Sequence, residues 1–134
     1  MNGFKHYSAC FFDLYGTLVD IHTREDTPKL WKTMADWYNA HGGNYSFAEL
    51  RQAYRDNCQR EEKALQERQR MKGLCVAEAE IDIGNVFAAL FQGKNCSAGD
   101  AEVREAAILF RKTSLTHLRL YRHARELLKA VRDW

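Results

Sequence analysis

The sequence predicts a mostly α-helical chain with one buried strand near its N-terminus, and three observations carry that expectation. Apolar residues recur every three or four positions through five separate stretches between residues 28 and 133. Helix-start signals precede several of these stretches, and the whole chain holds a single proline, placed where a helix begins. Tyr7 to Phe12, in contrast, is apolar with no polar alternation, which suits a strand buried on both faces of a parallel sheet.

That strand runs straight into Asp13-Leu14-Tyr15-Gly16-Thr17-Leu18-Val19-Asp20. Open parallel sheets present their chemistry at the carboxyl ends of strands, and Asp13 falls at that point. Gly16 lets the backbone close around a bound anion. The plainer reading is a buried strand whose aspartate starts a turn.

The segment from Asp20 to Pro28 is polar and turn-rich. Thr27 reads as an N-cap with Pro28 at the first helical position. Leu30, Trp31, Met34, Trp37 and Tyr38 then follow at helical spacing, until His41-Gly42-Gly43 ends the helix. Ser46 and Glu49 form a capping box for a long second helix with Phe47, Leu50, Tyr54, Cys58 and Leu65 on one stripe. Its other face mixes charges of both signs from Arg51 to Lys72, the pattern of a solvated surface.

Residues 73–80 read as a connection. Asp82 caps a third helix carrying Ile83, Val86, Phe87, Leu90 and Phe91, the cleanest amphipathic pattern in the chain. Gly93-Lys94-Asn95 ends it. Ser97, with Asp100 three residues on, starts a fourth helix bearing Val103, Ala106, Ala107, Leu109, Phe110, Leu115 and Leu118. A fifth, from Arg122 to Asp133, places Ala124, Leu127, Leu128 and Val131 on one face. No repeat and no low-complexity segment interrupts the series.

With 134 residues the chain has room for one domain, or one domain with a small inserted lobe. Hydrophobic residues make up 46% and charged residues 28%, enough apolar material for a core. A net charge of +2 is too mild to argue for nucleic acid or a membrane surface. No apolar run approaches the ~18 residues of a membrane-spanning helix. The first six residues lack the apolar stretch and cleavage site of a signal peptide. Cys10, Cys58, Cys75 and Cys96 stand too far apart for paired metal ligands and read as buried or partly buried free thiols, pointing to a reducing cytoplasm.

The stretch FDLYGTLVDIHT resembles the first motif of the haloacid dehalogenase-like (HAD) hydrolases. LWKTMADWYNAHGG, EIDIGNVFAALF and LYRHARELLKAVRD follow in the order of that superfamily's capped branch, subfamily I. The resemblance implies a helical-bundle cap attached to one strand and one helix of an incomplete Rossmann-type α/β core. Residues 1–20 and 119–134 would be the partial core, and 21–118 the cap. It further implies that Asp13 is the nucleophile and first metal ligand, with the Tyr15 carbonyl as the second. Backbone groups of Leu14, Tyr15, Gly16 and Thr17 would line the anion and substrate site.

Mg²⁺ is the cofactor expected of the phosphatase-type members, weakly held or absent here. The family's later hydroxyl, lysine and acidic motifs have no counterparts in this sequence, which stops before the second core strand. The expectation is therefore a hydrolase inactive by itself, acting on a phosphate ester or a haloacid once completed. The alternative is a non-catalytic helical binding or assembly module that keeps the motif as a relic.

Tyr15 departs from the phosphatase pattern, in which a second aspartate protonates the leaving alkoxide. Halide leaves without a proton, so Tyr15 favours carbon–halogen chemistry. The dehalogenases also use an early cap arginine, and no arginine lies between Arg24 and Arg51. Both chemistries stay open.

Lesser candidates have plainer readings. His22 lies just past the motif, where it either lines the site mouth or is a turn residue without a role. His117 and His123, six apart, are too far for one helical face to hold a metal. Trp31, Trp37 and Phe87 offer a substrate-facing surface or, more ordinarily, core. Arg119, Arg122, Arg125, Lys129 and Arg132 are positive charge spread along the last helix. A lone strand needs neighbours for its backbone groups. The strand around Ala9–Phe12 is therefore expected to pair with a second copy of the chain, as a two-fold dimer or by exchanging an N-terminal segment.

Overall fold

A computed structural model describes residues 7–75 and 80–133. Their order is β1 (Val19–Thr23), α1 (Pro28–Ala40), α2 (Phe47–Met71), α3 (Ile83–Gln92), α4 (Asp100–Ser114), β2 (Leu115–Leu120) and α5 (Ala124–Arg132). The fold is mostly helical, with one small two-stranded antiparallel sheet among the described residues. Two compact units divide the chain. One is Glu25–Ser114; the other joins the terminal segments Met1–Arg24 and Leu115–Trp134. His22 and Leu115–Leu118, placed in the cap by sequence, thus lie in the terminal unit.

The helical unit begins with the predicted caps. Thr27 Oγ1 accepts from Leu30 N, Ser46 Oγ from Glu49 N and Asp82 Oδ1 from Gly84 N. Each satisfies an amide that the first helical turn would otherwise leave unpaired. The fourth helix starts slightly later than its Ser97 signal. Glu102 reaches back to accept from Gly99 N at 2.9 Å, so α4 opens at Asp100.

The four helices bury a largely aromatic core. Trp31, Tyr54, Phe87 and Phe110 pack with neighbouring ring centroids 5.1–6.0 Å apart. Beside them Tyr38 lies 4.6 Å from Phe91. The two tyrosines facing α3 are satisfied by its carbonyls: Tyr38 Oη donates to Phe87 O at 3.0 Å and Tyr45 Oη to Leu90 O at 2.6 Å. Burial raises the pKa of Tyr38 and Tyr54, so both phenols stay protonated. On α2 the predicted stripe holds at Leu50 and Tyr54, but Phe47 is 53% exposed at the helix start. Leu109 is half-buried against the core, while Phe110 is fully inside.

The terminal unit corrects two expectations. Residues 7–12 form no strand, and Phe11 is 96% exposed. A strand buried on both faces needs a ladder neighbour, and the two segments that do become strands pair with each other instead. The second correction concerns the end of the fourth helix, which was expected to carry Leu115 and Leu118. The fourth helix stops at Ser114 rather than reaching Leu118, and Leu115–Leu120 continues as β2.

β2 runs antiparallel to β1, matching Val19 with Leu120, Asp20 with Arg119, Ile21 with Leu118 and His22 with His117. Val19–His22 and His117–Leu120 alternate apolar and polar residues with period two, up to the irregularity at His22/Thr23. Leu115 and Leu118 fit a helical stripe equally well, and only the distant partner strand decides between the two periods.

Candidate functional site

Asp13 is held at the head of a tight turn. Leu18 N and Val19 N both donate to Leu14 O at 2.9 Å, and Gly16 N donates to Val19 O at 2.8 Å. Gly16 has φ +80°, a conformation that a side chain would strain but that glycine adopts freely. The turn brings Thr17 Oγ1 within 3.3 Å of Asp13 Oδ2, to which it donates. Asp13 is otherwise exposed, as are Leu14, Tyr15 and Gly16.

Of the amides assigned to an anion site, that of Gly16 is already committed to Val19. Those of Tyr15 and Thr17 have no backbone acceptor among the described residues. What this arrangement offers chemically is an accessible carboxylate, steadied by one hydroxyl, at the mouth of a closed turn.

The residues present do not fit a Mg²⁺ ion. That ion requires near-octahedral oxygen ligation, and the turn offers one carboxylate and the Tyr15 carbonyl. Among the described residues no group of three or more histidine, cysteine, aspartate or glutamate side chains is placed to hold a metal.

Immediately after the turn, the polar face of the β1–β2 ribbon carries a charged cluster that sequence reasoning missed. Asp20, with a side chain only 12% exposed, is its centre. Its Oδ2 accepts from His117 Nε2 at 3.0 Å and from Arg119 Nε at 3.1 Å. Its Oδ1 lies 3.1 Å from His22 Nε2. The two imidazoles, cross-strand partners, have ring centroids 5.5 Å apart.

Loss of solvent around the Asp20 carboxylate works to raise its pKa. The hydrogen bonds from His117 and Arg119, with the charges of His117 and His22, outweigh that loss and leave the pKa below its ordinary value. The available signal was the two-residue alternation of Val19-Asp20-Ile21-His22 against His117-Leu118-Arg119-Leu120. It puts all four polar side chains on one face once the strands pair. His22 and His117, which sequence spacing did not connect, are thereby brought together; His123 instead lies near Glu126 at the start of α5.

The remaining candidates sort differently. Trp31 and Phe87 are buried core, and Trp37 is half-buried against Tyr38, Phe91 and His41. A shallow groove of about 490 Å³ on the helical unit is lined by Glu49, Asp56, Asn57, Arg60, Gln92 and Lys94, among others. Its charges are largely spent internally: Lys94 Nζ pairs with Glu49 and sits 4.5 Å above the Tyr45 ring, while Arg60 donates to Asn57. No helix among the described residues is long and apolar enough to cross a membrane. No family model, characterised protein or solved structure matches this chain.

Proposed function

We propose that this chain carries the nucleophile and the cap of a HAD-like hydrolase acting on a phosphate ester or a haloacid, with Asp13 as the attacking group. The observation that carries the reading is the turn itself: an exposed aspartate, a hydroxyl donor four residues on, and a glycine at positive φ between them. Support also comes from connectivity. The helical unit Glu25–Ser114 enters the sequence between the two paired strands, the first of which directly follows that turn.

The chemistry is nucleophilic displacement. An Asp13 carboxylate oxygen forms a bond to phosphorus and the ester oxygen leaves, taking up a proton; or it forms a bond to carbon and halide leaves. Water then cleaves the resulting acyl phosphate or ester, restoring the carboxylate. Thr17 orients the carboxylate through its hydrogen bond. Neutralising a transferring phosphoryl group takes cations. Arg119 and His117 of the ribbon are already directed at Asp20, so slow labelling of Asp13 by an activated reagent, and not turnover, is expected of the chain by itself. Cys58 and Cys96 are half-buried as expected, whereas Cys10 and Cys75 are exposed because the segments that carry them do not join a core; four unpaired cysteines accord with a reducing cytoplasm.

A second reading, a non-catalytic helical binding or assembly module, is favoured by one observation: the helical unit has a complete core of its own. Covalent labelling separates the two. Acetyl phosphate, which loses acetate as it transfers its phosphoryl group, and a short 2-bromo acid, which loses bromide, are each incubated with the chain, followed by peptide mapping. The hydrolase reading expects an adduct at Asp13 in preference to the exposed Asp36, and none there in Asp13→Asn. Equal labelling of exposed carboxylates would favour the second reading.

A further inference from the structure

Along the groove between α2 and α3, one turn of α2 holds polar groups that are only partly used. Asn57 lines the groove and is just 7% exposed. Its Oδ1 accepts from Arg60 Nη1 at 2.9 Å, but its Nδ2 donates to no acceptor among the described residues. Buried amides are nearly always hydrogen-bonded, so an idle one marks a place for a partner. Asp56 and Arg60 line the same groove four residues apart, the spacing and order at which opposite charges pair along a helix. They are not paired with each other. Asp56 Oδ1 accepts from Gln52 Nε2 at 2.8 Å, and Arg60 donates only through Nη1. Asp56 Oδ2 and the other guanidinium N–H groups have no partner among the described residues.

We propose that this turn binds the head of a free α-amino acid with an uncharged aliphatic side chain. The ligand carboxylate accepts from Asn57 Nδ2 and from Arg60, and the ligand ammonium donates to Asp56. Side chains four apart on a helix start ~5–6 Å from one another, a gap that an ammonium and a carboxylate borne by one carbon bridge together. Charge selects this class. The other two ions of the groove, Glu49 and Lys94, neutralise each other, so one negative and one positive group are left over. A phosphate would face two carboxylates, and a simple amine would leave Asn57 and Arg60 idle. An uncharged polyol would answer neither ion.

The room is adequate. The groove holds about 490 Å³, within the ~300–1,000 Å³ of small-molecule sites. Ala53, Ala89 and Gly93 also line it and offer a short, uncharged surface to an aliphatic side chain. The site lies wholly within the helical unit, so the inference does not depend on Asp13 chemistry.

Titration of free L-leucine into the full chain, followed by NMR of the Asn57 side-chain amide, tests it. That resonance is expected to shift and saturate at millimolar leucine. Isocaproate, which is leucine without its ammonium, and isoamylamine, which is leucine without its carboxylate, are each expected to bind at least about tenfold more weakly, as for a lost charge-assisted hydrogen bond. Asp56→Asn and Arg60→Gln change exposed side chains and should leave the backbone spectrum intact. Each is expected to weaken leucine binding about tenfold.

The absence of a saturable shift would overturn the proposal. So would isocaproate or isoamylamine matching leucine, which would reduce the groove to a site for one charge. Leucine binding unchanged in either variant would overturn it as well, by placing the ligand elsewhere.

Discussion

Two aspartates seven positions apart meet opposite environments. Asp20 is enclosed and receives bonds from two residues of β2, while Asp13 is open to solvent with one hydroxyl contact. A carboxylate whose lone pairs are taken up by Arg119 and His117 is a poor nucleophile, so of the two only Asp13 is free to play the role proposed for it. Asp20 also links folding to pH. Its native pKa lies below the ordinary 3.8, so the unfolded chain takes up its proton first. The stability it supplies is complete above that ordinary value and is lost as pH falls through the lowered native one. Exchange of the ladder amides should accelerate in that acid window in the wild type. In Asp20→Asn exchange should already be fast at neutral pH, with less dependence on acid. A pH-independent difference between the two would show that the carboxylate's charge is not what holds the strands. At Gly16, alanine meets no atom within 4 Å but must adopt φ +80°. The cost is therefore backbone strain of ~1–2 kcal/mol, visible as faster exchange at Leu18 and Val19.

At the scale of elements, the helices owe their stability to burial. Phe87 is 1% exposed within the aromatic cluster, and truncating such a side chain to alanine costs ~3–5 kcal/mol. Phe87→Ala should lower the thermal midpoint clearly; an unchanged melt would place that stripe in solvent. Gly43→Ala tests a close approach, because a Cβ there would come 2.9 Å from Tyr38 O, a backbone atom that cannot swing aside. It too should destabilise the helical unit in calorimetry, and a neutral result would mean the α1 terminus relaxes. These helices were legible because their information is local: Thr27, Ser46 and Asp82 mark the starts, and spacings of three and four mark the buried face. The strands were not. Val19–Thr23 and Leu115–Leu120 are short, and their pairing joins residues 97 apart, as Asp20 and His117 are. The stronger apolar run at Tyr7–Phe12 drew the strand assignment, although it has no ladder neighbour. Asp13, Gly16 and Thr17 could be read directly because a turn is encoded by adjacent residues. Asp20, His117 and Arg119 could not, because their meeting depends on register.

On the scale of the whole molecule, a helical unit with its own core is joined to a terminal unit whose apolar surface is open and whose site is one carboxylate on a turn. The function proposed above is that of a hydrolytic nucleophile that does not turn over by itself. The direct measurement is turnover by the purified chain with Mg²⁺, using a generic aryl phosphate and, separately, a short 2-haloacid, for the wild type and Asp13→Asn. The account predicts no product above the buffer rate in any of the four reactions. Turnover by the wild type that disappears in Asp13→Asn would contradict it, showing that the chain already holds every group the reaction needs.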